Sequence, residues 1–126
     1  MSTESVATAE GTSRNEVVLT GRLAAAAEER MLPSGTPLVT FRVVVDRPPP
    51  PKQAPVRTPT VDTIDCVAGT PTVRRTVLGW LPGDVVELGG ALRRRFWRAA
   101  TGAASRTEVE VTRARRLARA SPPAAT

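Results

Sequence analysis

The chain has 126 residues, a formal charge of +6, 12 prolines, 1 cysteine and no histidine. That length suits one domain. A single cysteine excludes an internal disulfide or a thiolate zinc site, apolar stretches such as Leu38 to Val45 are too short to cross a bilayer, and Met1 to Arg14 lack the apolar core of an export signal; a soluble cytoplasmic protein is expected. Residues 93 to 126 hold nine basic against two acidic side chains, whereas residues 1 to 92 hold nine against ten. The excess positive charge therefore lies in the last quarter, as suits a polyanionic partner such as nucleic acid or an anionic membrane surface.

Residues 1 to 14 and 118 to 126 are rich in Ala, Ser, Thr, Glu and Pro without apolar period, and read as tails flanking one domain over 15 to 117. Within it the apolar spacing is mostly two, the strand period. Val17 and Leu19 begin a first strand ending near Gly21, where a missing side chain permits a bulge or tight bend. Pro33-Ser34-Gly35 marks a turn. Val39, Phe41, Val43 and Val45 alternate with Thr40, Arg42, Val44 and Asp46 in a second strand. Residues 47 to 60 contain six prolines, which cannot donate to a ladder, so the segment is a loop; a PxxP docking motif is a secondary reading of Pro48 to Pro51.

A third strand places Ile64, Cys66 and Ala68 on one face. Thr70-Pro71 then provides a helix N-cap followed by proline in the first turn, and Val73, Val77 and Leu81 recur at helical spacing until Pro82-Gly83 stops the helix. A fourth strand, from about Asp84 to Leu92, carries Val86, Leu88 and Leu92 inward. Arg93 to Ser105 reads as a long arginine-rich hairpin around Thr101-Gly102, and a fifth strand carries Val109 and Val111. Five strands with one short helix between the third and fourth is the arrangement of an all-β OB-fold barrel, one of several small β-barrels this spacing allows.

Several stretches in register resemble the bacterial single-stranded DNA-binding protein family. They are NEVVLTGRL (Asn15 to Leu23), SGTPLVTFRVVVDR (Ser34 to Arg47), VDTIDCVA (Val61 to Ala68), LPGDVVELGGALRRRFW (Leu81 to Trp97) and EVEV (Glu108 to Val111). The resemblance implies a five-stranded OB barrel assembled into a homo-oligomer, a tetramer or a dimer, with single-stranded DNA wound over the sheet and its long hairpins. It implies no catalytic residue, metal or other cofactor. The residues agree: the chain has no histidine, Cys66 lies on an apolar face, and neither a phosphate loop nor a paired-acid motif is present.

Trp97 falls on the family's hairpin tryptophan and is the leading candidate for stacking on bases, the alternative being packing against a neighbouring subunit. Phe96 points to the other side and reads as core or interface, and Phe41 and Trp80 as core. At the other stacking positions the chain has Thr63, Gly69 and Pro49, none of which stacks comparably; three lost platforms subtract roughly 3–9 kcal/mol. The remaining candidates are Arg42, Arg93, Arg94, Arg95 and Arg98, suited to phosphate contacts and to guanidinium stacking. Binding driven by these five arginines implies a salt slope near −3.5, at about −0.7 per phosphate neutralised. The family's replicative members end in an acidic, apolar tip that recruits partners, and the ending Ser121-Pro-Pro-Ala-Ala-Thr126 lacks one. This points to an accessory or divergent member. Two alternatives accompany that reading: a regulatory OB subunit acting through protein contacts in a mixed oligomer with a full family member, and a binder of single-stranded RNA.

Overall fold

Period-two alternation along Val39, Phe41 and Val43, along Cys66 and Ala68, along Val86 and Leu88, and along Val109 and Val111 turns all of these side chains to one side, where they are buried together. The computed structural model describes residues 12–121. Its elements are β1 (Val17–Leu23), β2 (Glu28–Met31), β3 (Pro37–Asp46), β4 (Val61–Ala68), α1 (Pro71–Leu78), β5 (Val85–Ala99) and β6 (Gly102–Ala118). The strand order is β1-β5-β6-β4-β3-β2. Arg22 and Leu23 of β1 also pair with Val44 and Val43 of β3, so β1, β3, β4, β5 and β6 close into a barrel. The β4–β6 pair is parallel. Five barrel strands with one helix between the third and fourth is the OB arrangement expected. No helix among the described residues is long and apolar enough to cross a membrane.

Asn15 explains the start of β1: its side-chain amide donates to the Leu92 carbonyl and accepts from the Leu92 N–H, both at 2.8 Å. This one side chain extends the β1–β5 ladder beyond its last backbone pair. The proline segment is a loop, pinned at its base where Arg47 N–H donates to Thr60 O and the Arg47 guanidinium forks onto the Asp62 carboxylate at 2.7 and 2.9 Å.

The structure departs from the sequence reading at four places. The first is β2, whose residues Glu-Glu-Arg-Met are all exposed; it is held to β3 by backbone pairing and by Arg30 Nε donating to Thr40 Oγ1 at 3.2 Å, across a turn in which Gly35 takes φ +90°. The second is the helix, which stops at Leu78 with Gly79 as its C-cap. Leu81 lies beyond it and is 59% exposed, and Trp80 fills that place in the core instead. The Trp80 ring meets Phe41 edge-to-face at 5.9 Å, a favourable aromatic geometry.

The third departure is at the end of the chain. The fourth strand, the arginine hairpin and the fifth strand form one continuous hairpin, paired from Val85↔Ala118 to Ala99↔Gly102. Its upper half stands out from the barrel, so Leu92 at the rim is 47% exposed although it faces the core side. The fourth is the C-terminal boundary: β6 runs to Ala118, and the Ala120 N–H donates to Asp84 Oδ1 at 2.7 Å. Residues 1 to 11 and 122 to 126, which carry most of the two expected tails, lie outside the described residues.

Asp84 is a fully buried acid. It also accepts the Leu81 N–H at 2.9 Å and faces Arg116 at 3.6 Å, so one carboxylate ties the helix-to-β5 turn to the C-terminal segment. The backbone N–H groups of Leu81 and Ala120, with Arg116 adding to them, hold its carboxyl below the ordinary carboxylate range. An acid whose pKa is lower folded than unfolded contributes stability above its unfolded value, about 3.9, and loses it as pH falls through the folded one. Asp84→Asn keeps the size but offers one acceptor where two donors converge. Urea midpoints should therefore be lower for Asp84→Asn than for wild type at pH 7, and the gap should close progressively below about pH 4. A gap independent of pH would assign the effect to packing rather than charge.

Candidate nucleic-acid interface

Side chains that alternate away from the core on β3, β4, β6 and β5 form one outer surface. Register places Arg42 opposite Asp65, Arg93 opposite Glu108, Arg95 opposite Arg106 and Trp97 opposite Ala104. Asp65 and Glu108 precede the paired Cys66 and Val109 on the parallel strands β4 and β6. An open cleft of about 500 Å³ runs over this surface, lined among others by Arg30, Arg42, Thr63, Asp65, Arg95 and Arg106.

Trp97 stands on the projecting arm above the cleft, 41% exposed. The guanidinium carbons of Arg95 and Arg106 lie 5.9 and 6.0 Å from its ring centroid. Both distances are within cation–π range, so two cations, paired opposite each other one step nearer the barrel, approach the indole. Cys66 is buried beneath the cleft, and burial, reinforced by the Asp65 and Glu108 charges, pushes its thiol up to about 12. It is an inert core group at neutral pH.

The six predicted site residues are not one cluster. Arg42, Arg93, Arg95 and Trp97 share the outer surface, whereas Arg94 and Arg98, on alternate residues of the same strand, face the opposite side of the arm with Phe96. Arg106, which the sequence reading did not single out, completes the Trp97 site. Its number in the sequence carried no signal; only the hairpin register brings it opposite Arg95. Thr63 lies in the cleft, Gly69 just past β4, and Pro49 in the exposed loop.

Charge is largely cancelled on this surface. Arg42 Nε reaches Asp65 at 2.9 Å, Arg93 Nε reaches Glu110 at 2.8 Å, and Arg95 Nε lies 3.9 Å from Glu108. Of the four arginines there, Arg106 alone has no carboxylate partner among the described residues. The Arg93–Glu110 pair is exposed and an ion pair of that kind is worth about 0–1 kcal/mol, whereas Glu108 is buried beneath Arg95; each carboxylate competes with any incoming phosphate.

A closed five-stranded barrel with an open, arginine-lined cleft and a projecting aromatic arm places the chain in the OB-fold class. Sequence and structure comparisons then define its family. The profile of the single-strand binding protein family matches residues 14–117, and the chain belongs to that family. A single-stranded DNA-binding protein of Thermotoga maritima is 39% identical over 90 residues, a match spanning 70% of this chain and 62% of that relative. This chain thus aligns with less than two thirds of its relative's length. A Plasmodium falciparum SSB solved in complex with ssDNA superposes with a TM-score of 0.70 at 19% identity, covering 84% of this chain and 96% of that one, which supports the same fold.

Proposed function

We propose that this chain binds single-stranded DNA without reading its sequence, on the outer surface of β3, β4, β6 and β5. It acts as a binder rather than a catalyst, as a cytoplasmic accessory to replication, repair or recombination. The observation that carries the proposal is Trp97, exposed on the arm next to Arg95 and Arg106, which themselves line the open cleft. An indole presents a π-face that any base can stack on, and flanking guanidiniums suit the phosphates and extend the stacking surface. Single-strand binding by the family and by the Thermotoga relative supports the same reading.

Fluorescence tests it directly. The chain has two tryptophans, and Trp80 is buried in the core, so quenching by oligo-dT reports Trp97. Trp97→Ala should abolish the quench and weaken binding by ~1–3 kcal/mol while leaving the thermal transition nearly unchanged. Unaltered affinity, or a collapsed fold, would return Trp97 to a packing role. A parallel titration with oligo-rU separates DNA from RNA, since stacking and phosphate contacts do not depend on the sugar without specific 2′-OH contacts.

Association of copies is part of the proposal. From Val17 to Gly21, β1 pairs with β5 on one edge and with no strand on the other among the described residues. A free edge is a template for another strand, which favours a homo-oligomer. A mixed oligomer with a full family member would use the same edge. Gel filtration of the chain alone and with such a member distinguishes the two.

A further inference from the structure

Resting on the single-strand-binding reading above, we infer that the reverse side of the arm is a second nucleic-acid contact surface, with Phe96 as its stacking platform and Arg94 and Arg98 as its phosphate contacts. Beyond Leu92 the core-side positions of β5 leave the barrel and have nothing left to pack on. Phe96 is 68% exposed there, more than Trp97. The Arg94 guanidinium carbon lies 5.9 Å from the Phe96 ring centroid, the same cation-on-ring arrangement that frames Trp97.

What sets this side apart is its charge. Arg94 donates to hydroxyls, Ser105 Oγ at 2.8 Å and Thr107 Oγ1 at 3.5 Å, which hold the guanidinium in place without neutralising it. Arg98, opposite Ala103, has no carboxylate partner among the described residues. On the Trp97 side, by contrast, Arg93 and Arg95 face Glu110 and Glu108. The reverse side is thus an exposed aromatic between two uncancelled cations, with Ser105, Thr107 and Ala103 across the ladder and no acid. An apolar protein partner would have to desolvate both charges. A second copy docking by the same face would set Arg94 and Arg98 against their own counterparts. Single-stranded nucleic acid matches both features, since it supplies phosphates for the arginines and bases for the ring.

The occupant is a continuation of the strand bound at Trp97, carried around the arm's tip at Ala99 to Gly102. An oligomer too short to turn the tip meets one side only. In equilibrium titrations with oligo-dT of increasing length, Phe96→Ala should leave short oligomers unaffected and weaken long ones roughly five- to a hundredfold, with fewer nucleotides covered per protomer. Phe96→Trp in a Trp97→Phe background should be quenched by long but not by short oligomers. Two results would overturn the inference: a folded Phe96→Ala with unchanged affinity and site size on long oligo-dT, or a Phe96→Ala that shifts the oligomeric state while DNA affinity stays the same. Failure of the wild-type chain to bind oligo-dT of any length would instead overturn the function on which the inference rests.

Discussion

Asp65→Asn, Glu108→Gln and Glu110→Gln combined are expected to raise affinity for a short oligo-dT roughly ten- to a hundredfold at low salt. The three carboxylates occupy Arg42, Arg95 and Arg93 in the free protein, so a strand entering the cleft must displace them before its phosphates reach the guanidiniums. The amides keep the side-chain shape but release the arginines. Each released arginine adds about −0.7 to the slope of log K against log salt, so the triple variant should be steeper than wild type by about 2. The wild-type slope should in turn be shallower than the −3.5 expected from five unpaired arginines, because three of those five, Arg42, Arg93 and Arg95, already face carboxylates. An affinity that stays flat or falls in the triple variant, at every salt concentration, would show that the acids do not compete with DNA.

Gly90→Ala should cost at least about 3 kcal/mol of stability, against a total of about 5–15 kcal/mol for a domain. Gly90 sits where β5 meets the bulge in β6, paired with both Val17 and Val111. A methyl group there would overlap the carbonyl oxygen of Glu110 and press within 3.0 Å of the Val111 Cα. Those are backbone atoms fixed by ladders on two sides, so nothing nearby can give by a rotamer change. The same point is the corner from which the arm departs, and the damage should extend to Trp97 and to DNA binding. Gly69→Ala is the control: its added methyl meets only Leu38 Cδ2 at 3.7 Å, an ordinary contact, and its urea midpoint should stay close to wild type. Equal midpoints for the two variants would refute the crowding argument.

Local chemistry made much of this molecule legible in its sequence. Val39, Phe41 and Val43 declare a half-buried strand by period alone, the prolines between Arg47 and Thr60 rule out a ladder, and Thr70-Pro71 announces a helix start, because each effect acts over a few neighbouring residues. The Asn15, Gly-Arg-Leu and arginine-tryptophan stretches carried the family resemblance for the same reason. Pairings distant in sequence were not legible. β2 has no apolar signal because none of its side chains enters the core, and Leu81 lost its core place to Trp80 because Gly79 ended the helix early. Register across the β5–β6 hairpin decided that Arg106 stands beside Trp97, that Glu108 and Glu110 occupy arginines seventeen or fewer residues away, and that Arg94 and Arg98 turn with Phe96 to the other side. Strand alternation is a property of one segment, whereas charge cancellation is a property of two strands brought side by side, and only the closed barrel brings them there.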